Sequence, residues 1–226
     1  MLSRTEVVIL AGGLGTRLQA ALPPGQPKVL ALIGGQPFLR LLVDRLHHAG
    51  ARRILLALGY GAEAVHAFLH GQVWPVGLEL REAVEPVPLG TGGALRYVLP
   101  QLEGRTFIAV NGDTIADVDL DRMLDFHCRN GARITMALAA VTDTSCYGRV
   151  TADTEGRVIA FSEKPPQAEG AGFINAGTYV IEREVVEAIP ADRSTSWERD
   201  VLPRYCNSGL YAFPGGSLFI DIGTPV

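Results

Sequence analysis

Apolar and polar positions come in blocks along the chain, and the period of the blocks changes from one to the next. Val7, Val8, Ile9 and Leu10 form a short continuous apolar run that breaks at Ala11-Gly12-Gly13, the pattern of a buried strand feeding a glycine loop. Over 37–50, Leu39, Leu42, Val43 and Leu46 recur at helical spacing, with Arg40, Asp44 and Arg45 off the stripe and Gly50 as a stop, so a core-facing helix is predicted. His47 and His48 close that helix, where cations suit the dipole. Residues 53–58 read as the next strand and 62–70 as a second amphipathic helix. A strand over 78–83, a helix running through Leu99, a strongly apolar strand over 106–110 and a helix over 120–130 continue the alternation. Strand and helix in turn predict a parallel sheet with crossover helices.

From Ala132 the rhythm becomes β-rich, with strands over 134–141, 149–152 and 157–162 joined by turn residues such as those of 153–156. This part is expected to be antiparallel. Ser194-Thr195-Ser196 precedes a helix from Trp197 that carries Glu198 and Asp200 in its first turn, as the dipole prefers. A last apolar strand over 218–223 has one acid, Asp221, within it. The expectation is one domain over 1–226, a first half over 1–131 and a second over 132–226.

Composition narrows the classes. With 226 residues, 47% of them hydrophobic, the chain can bury a full core. A net charge of −4 offers no basic surface for nucleic acid or lipid headgroups, so neither is expected as a partner. Cys128, Cys146 and Cys206 are scattered and odd in number, which argues against a disulfide framework and against a Cys-x-x-Cys zinc site. The N-terminus lacks a signal-peptide layout and no run reaches membrane-spanning length; a soluble, cytoplasmic protein is expected, as monomer or homodimer.

Candidate chemistry clusters at the ends of the predicted strands. Glycines at 12, 13 and 15 let the backbone approach an anion and aim N–H groups at phosphate oxygens, and Arg17 adds a planar fork suited to phosphate. The stretch is not a P-loop, since no Gly-Lys pair follows, and it fails the dinucleotide fingerprint because Leu18 stands where the third glycine belongs. Residues 85–94 hold two prolines and three glycines in a loop opening onto a helix N-terminus, whose free N–H groups suit an anion or a polar base edge. Glu85 in that loop matches the adjacent N–H donors of guanine; uracil also offers a ring N–H, and a solvated surface glutamate remains open. Asp113 follows a buried strand in Asn111-Gly112-Asp113, where open α/β sheets bind ligands, and is the first candidate metal ligand. An acid inside an apolar strand is costly unless paired or bound to metal, which makes Asp221 the second. Asp117, Asp119 and Asp121 are left to helix capping and surface roles. Two carboxylates with phosphate oxygens and water suit Mg²⁺.

Gly12-Gly13-Leu14-Gly15-Thr16-Arg17-Leu18 followed by Pro27-Lys28-Val29-Leu30 resembles the signature of the sugar-1-phosphate nucleotidyltransferases. Pro88-Leu89-Gly90-Thr91-Gly92-Gly93, Tyr147-Gly148, Glu163-Lys164-Pro165, Asn175-Ala176-Gly177 and Phe219-Ile220-Asp221-Ile222-Gly223-Thr224-Pro225 match further motifs of that family in order, so the resemblance spans the chain from Val7 to Pro225. It implies a Rossmann-like three-layer α/β fold with a mixed, mostly parallel central sheet and a small antiparallel sugar-facing part. By the same resemblance the activity is Mg²⁺-dependent nucleotidyl transfer from a nucleoside triphosphate, GTP first among them, to a sugar 1-phosphate. Arg17, Lys28 and Lys164 are then catalytic. Leu10, Ala11, Gly12, Gly13, Gly15, Thr16, Glu85, Gly90 and Thr91 hold the nucleotide, while Asn111, Gly148, Glu163, Asn175 and Glu198 hold the sugar. Within the family the motifs look most like the D-glycero-D-manno-heptose 1-phosphate guanylyltransferases, with mannose-1-phosphate guanylyltransferases and N-acetylmuramate 1-phosphate uridylyltransferases similar too. The sequence stops at Val226, directly after the last motif, where the resemblance leads one to expect a closing helix.

Overall fold

The computed structural model describes residues 1–13, 15, 22–23, 25–145, 147–163 and 170–223. In chain order the elements are β1 (Glu6–Leu10), β2 (Leu32–Ile33), β3 (Gln36–Pro37), α1 (Phe38–His48), β4 (Arg53–Leu58), α2 (Ala62–His70), β5 (Glu79–Val84) and α3 (Gly90–Val98). There follow β6 (Thr106–Asn111), β7 (Thr114–Ala116), α4 (Leu120–Arg129), β8 (Ile134–Val141), β9 (Arg149–Ala152), β10 (Val158–Ser162) and β11 (Gly172–Glu182). The chain then forms α5 (Arg183–Glu187), a single π turn (Trp197–Val201), α6 (Leu202–Tyr205), β12 (Leu210–Pro214) and β13 (Phe219–Asp221).

Nine strands make one mixed sheet in the order β10-β9-β11-β6-β1-β4-β5, with β8 beside β11 and β12 beside β8. β6, β1, β4 and β5 are parallel neighbours, as the strand–helix alternation predicts. β11 runs antiparallel to both β6 and β8, so a strand of the second half is inserted directly against the first half's sheet. β8, β9 and β10 pair antiparallel with β11 or with each other, as expected of them, while β12, a strand the pattern did not predict, returns parallel to β8. The chain between β8 and β12 runs through β9, β10, β11, α5, the π turn and α6, a path that strand-by-strand reading does not reveal.

The period-2 geometry of the strands explains the layers. In β1, Val7 and Ile9 point into a core shared with Phe38, Leu39, Leu42, Val65, Leu69 and Met123 from α1, α2 and α4. Val8, between them, joins the opposite core with Leu95, Val98, Val185, Val186 and Trp197 from α3, α5 and the π turn. Both faces of the sheet are therefore covered, which is why these strands read as continuous apolar runs. α4 begins at Asp119, whose side chain accepts the Arg122 N–H at 3.0 Å, the capping role expected of that acidic group.

The strands that carry the site end at one edge of this frame. Gly112 N–H donates to the Leu10 carbonyl at 2.9 Å, and a Cβ on Gly112 would stand 2.7 Å from that oxygen; only glycine lets the ends of β1 and β6 meet. β13 pairs with β7 in a separate two-stranded ribbon and does not join the main sheet. All three of its residues are half-buried, so Asp221 is not the acid of a buried strand that the apolar pattern suggested; it sits at the mouth of a cleft.

Candidate active site

Two cavities open side by side at the carboxyl ends of β1 and β6, where α/β sheets bind ligands. The larger, about 310 Å³, is walled by Leu10, Ala11, Gly12 and Gly13 from the glycine loop, by Lys28 and Val29, and by Glu85, Pro88, Gly90, Thr91 and Ala94. Its floor is Asn111, Gly112 and Asp113. The smaller, about 120 Å³, is lined by Asn111, Asp113, Thr114, Tyr147, Gly148, Glu163, Asn175, Glu198, Phe219 and Asp221. Asn111 and Asp113 belong to both. Every residue of the expected nucleotide and sugar groups that the structure describes, Gly15 apart, lines one cavity or the other. Thr16, Arg17 and Lys164 lie outside the described residues.

At the larger cavity Gly15 packs against Lys28: a Cβ on Gly15, whose φ is +59°, would lie 3.1 Å from the Lys28 Cβ. The Lys28 ammonium pairs with Asp113 Oδ2, both side chains being largely shielded from solvent. Glu85 lies just past β5, under the start of the loop. Its Oε2 accepts the Leu89 N–H at 3.2 Å, and its Oε1 lies 3.3 Å from where a Cβ on Gly12 would stand. Burial pushes the Glu85 carboxyl above its ordinary pKa, with the Leu89 N–H acting in the opposite direction.

One expectation about the α3 terminus does not hold. The N–H groups of Gly92 and Gly93 are not free for a ligand; both donate to the Thr195 carbonyl, at 2.9 and 3.1 Å. Thr195 N–H in turn donates to the Leu89 carbonyl at 2.8 Å, so the segment before the π turn is laced onto the start of α3. Thr91 Oγ accepts the Trp197 N–H at 2.8 Å and donates to Glu198 Oε2 at 2.8 Å. Ser196 Oγ lies 3.3 Å from the same carboxylate oxygen. Glu198 thus reaches the smaller cavity from a segment held by the wall of the larger.

The smaller cavity owes its shape to an irregularity in β11. The register with β8 shifts between Asn175 and Tyr179, and Gly177 takes φ +71°. A Cβ there would stand 2.7 Å from Asn111 Nδ2 and 2.8 Å from Thr114 Oγ, so glycine is required twice over. The bulge fixes Asn175, whose Oδ1 accepts the Gly177 N–H at 3.0 Å and whose Nδ2 donates to the Tyr179 hydroxyl at 2.6 Å. Asn175 N–H donates to the Gly148 carbonyl at 3.0 Å, and a Cβ on Gly148 would stand 2.6 Å from Glu163 Oε2, which brings these three together. Burial lifts the Tyr179 hydroxyl's pKa well above its ordinary value, and the charges of Glu198, Glu163 and Asp113 add to the rise. Asn111 Oδ1 is buried and has no hydrogen-bond partner among the described residues. A buried acceptor left unpaired in a cavity is suited to a ligand hydroxyl.

The candidate metal ligands converge. From the point where a Cβ on Gly223 would stand, Asp221 Oδ1 is 2.8 Å away, Asp113 Oδ2 3.2 Å and Lys28 Nζ 3.2 Å. Ile222 N–H donates to the Asp113 carbonyl at 3.0 Å, which ties the end of β13 to the turn after β6. Two carboxylates facing a phosphate-sized cavity form a hard oxygen donor set of the kind Mg²⁺ takes. Sequence reasoning missed Thr114, Tyr147 and Phe219 as lining residues. The Tyr147 and Phe219 rings pack edge to face at 5.6 Å across the cavity wall. Thr114 stands beside a singled-out residue, but its place opposite Asp221 is set by β7 pairing with β13.

A family profile described as nucleotidyl transferase matches residues 6–226. The mannose-1-phosphate guanylyltransferase of Mycobacterium tuberculosis is 38% identical over 228 residues, covering 98% of this chain and 62% of that protein. The D-glycero-alpha-D-manno-heptose 1-phosphate guanylyltransferase of Aneurinibacillus thermoaerophilus is 33% identical, covering 97% of this chain and 94% of that protein. The chain thus spans under two thirds of the mycobacterial relative and nearly all of the heptose one. Among solved structures, HddC from Yersinia pseudotuberculosis superposes with a TM-score of 0.86 at 36% identity, covering 98% of this chain and 95% of that one. HddC complexed with GMP-PN gives a TM-score of 0.85 at 35% identity.

Proposed function

This chain belongs to the nucleotidyl transferase family, and we propose that it is a guanylyltransferase that joins GTP to a sugar 1-phosphate, releasing pyrophosphate. The observation that carries the reading is the pair of cavities sharing Asn111 and Asp113: one holds the glycine loop and Glu85, the other the sugar-hydroxyl partners, and a phosphate bound at their junction faces both. Glu85 supports guanine, since an ionised carboxylate accepts from both adjacent N–H groups on that base's edge. The relatives named guanylyltransferase, and HddC complexed with GMP-PN, support the same base. For the sugar, D-glycero-D-manno-heptose 1-phosphate is the first choice, because relatives of that name match from end to end. Mannose 1-phosphate is the second, on the 38% identity to the mycobacterial enzyme.

In the reaction an oxygen of the sugar phosphate attacks the α-phosphorus of GTP in line. That P–O bond forms as the bond from the α-phosphorus to the oxygen bridging it to the β-phosphate breaks, and pyrophosphate departs with the electron pair. The nucleophile is already an anion at neutral pH, so no side chain need remove a proton. The work of the chain is positioning and charge neutralisation. Lys28 places a cation beside Asp113 at the cavity junction, Arg17 and Lys164 supply further cations from the sequence motifs, and Asn111, Glu163, Asn175 and Glu198 orient the sugar. Mg²⁺ held by Asp113 and Asp221 would supply a hard Lewis acid for the phosphate oxygens. Scattered cysteines support a reducing compartment, the cytoplasm; among the described residues no helix is long and apolar enough to cross a membrane.

The test is pyrophosphate release with Mg²⁺, crossing GTP, ATP, UTP, CTP and dTTP against heptose, mannose, glucose and N-acetylmuramate 1-phosphates. Release confined to GTP with the heptose phosphate is the expected result. Release with another pair replaces the substrate, and silence across the grid from folded protein overturns the reading.

A further inference from the structure

A second group of metal-ligating side chains lies away from the cleft. α2 packs Val65 and Leu69 into the core, which turns His66 and His70, one helical turn apart, outward on a common side. Beside them runs β5, the edge strand of the sheet, carrying Glu82. His66 Nδ1 lies 3.1 Å from Glu82 Oε2 and His70 Nε2 3.3 Å from Glu82 Oε1, while the two imidazole rings stand 4.3 Å apart. One ligand atom from each of the three residues falls within 4.8 Å of the others. The carboxylate is shielded, at 18% exposure, and the imidazoles above it are open to solvent, at 63 and 67%.

Simple ion pairing explains this arrangement poorly. One carboxylate balances one imidazolium; two imidazoliums with rings this close would repel each other. A divalent cation removes the conflict: it displaces the protons on the ring nitrogens that face the carboxylate and is shared by all three side chains. We infer that His66, His70 and Glu82 form a surface site for a borderline divalent transition-metal ion of the Zn²⁺ class, with the remaining coordination position open to water. Two imidazoles and a carboxylate are a Zn²⁺, Ni²⁺ or Cu²⁺ donor set and a poor one for Mg²⁺, which takes oxygen; the carboxylates of the cleft have the reverse preference. The two sites are therefore chemically separable. The ion would also clasp α2 to the edge strand. α2 starts just after Gly59 and β5 ends just before Glu85, and a Cβ on Gly59 would stand 2.7 Å from Glu85 Oε1, so the clasp joins the two elements whose ends meet under the glycine loop.

The test uses the full chain at about pH 7.5, above the ordinary imidazole pKa, with excess Mg²⁺ present to occupy the carboxylates of the cleft. Zn²⁺ is titrated by calorimetry, and Co²⁺ by its visible absorption. The expected result is one Zn²⁺ per chain, Co²⁺ bands that Zn²⁺ abolishes, and a rise in Tm with Zn²⁺. The His66→Gln/His70→Gln double variant should lose at least tenfold in Zn²⁺ affinity and lose the Tm rise. Its metal-free Tm and its Mg²⁺-supported pyrophosphate release should match the parent, which excludes misfolding. Glu82→Gln should weaken Zn²⁺ about tenfold. Equal Zn²⁺ binding by parent and double variant, or no Zn²⁺ binding by the parent in excess Mg²⁺, overturns the site.

Discussion

Thr91 donates its hydroxyl to Glu198 Oε2 at 2.8 Å, a bond between residues 107 positions apart that joins the wall of the larger cavity to that of the smaller. Because the same hydroxyl accepts the Trp197 N–H, it also sets the start of the π turn that carries Glu198. Thr91→Val keeps the shape and removes both bonds. The expected outcome is a KM for sugar 1-phosphate raised about tenfold, with a smaller change in the KM for GTP, the loss of one hydrogen bond to a charged group being worth about 1.5–3 kcal/mol. Steady-state kinetics with each substrate varied in turn decides it; equal effects on both would show a general loss of fit.

Asp113→Asn removes a candidate metal ligand and the partner of Lys28 while keeping the volume of the side chain. Turnover should fall by about three orders of magnitude or more with far-UV circular dichroism unchanged, in line with the cost of removing a group that acts on transition-state charge. Chelation of divalent ions should silence the parent enzyme, and Mg²⁺ should restore it. Near-normal turnover in the variant would remove Asp113 from the metal site.

Glu85 gives a pH dependence with opposite signs in the free and bound protein. Its pKa is raised above the ordinary 4.5 by burial, and guanine requires the ionised form. The KM for GTP should therefore rise as pH falls toward and through that raised pKa. Without nucleotide, a raised carboxyl pKa contributes stability that is fully present below the unfolded value and is lost as pH rises through the folded one. Glu85→Gln should accordingly show a higher metal- and nucleotide-free Tm than the parent at neutral pH, yet bind GTP roughly ten- to a hundredfold more weakly, a loss of about 1.5–3 kcal/mol. Unchanged GTP binding would leave Glu85 a structural residue.

Glu6 carries a stability prediction. It is 1% exposed, accepts the Glu103 and Gly104 N–H groups at 2.7 and 3.1 Å, and pairs with Arg81 at 2.6 Å. Burial alone would raise its pKa, but these hydrogen bonds and the nearby Arg53 charge outweigh it and hold the carboxyl below the ordinary value. A depressed pKa contributes stability present above the unfolded value and lost as pH falls through the folded one. Because Arg81 is 30% exposed and keeps Glu79 and the Gln101 carbonyl as partners, Glu6→Gln should cost about 1.5–3 kcal/mol at neutral pH, the worth of hydrogen bonds to a charged group, with the gap to the parent closing in acid. Urea melts at several pH values measure it, and a gap constant with pH would contradict the assignment.

Gly177→Ala puts a Cβ against Asn111 and Thr114 on a backbone at φ +71°. A left-handed non-glycine residue alone costs about 1–2 kcal/mol, and the clash adds to it. Both a lower Tm and a raised KM for sugar 1-phosphate are expected, since relief of the clash moves Asn111 and Thr114, which both line the smaller cavity. A Tm loss with unchanged kinetics would confine the bulge to a structural role.

The local elements were legible in the sequence because their periods are local. The apolar run of Val7 to Leu10, the stripe of Leu39, Leu42, Val43 and Leu46, and the alternation of strand and helix each depend on neighbours within a turn or two, and each stands where the pattern predicts. Gly12, Gly13, Asn111-Gly112-Asp113 and Asp221 were readable as candidate chemistry at strand ends, and they line the two cavities. What the tertiary structure decided were the relations among residues far apart in sequence. Nothing local to Thr91 points to Glu198, nothing near His66 and His70 points to Glu82, and the parallel return of β12 to β8 depends on the path of the chain between them. The same holds for Asp221, whose apolar neighbours suggested burial although its strand pairs only with β7 at the cleft mouth. Periodicity states which side of an element is apolar; which other element covers that side, and at what register, is set by the packing of the whole chain.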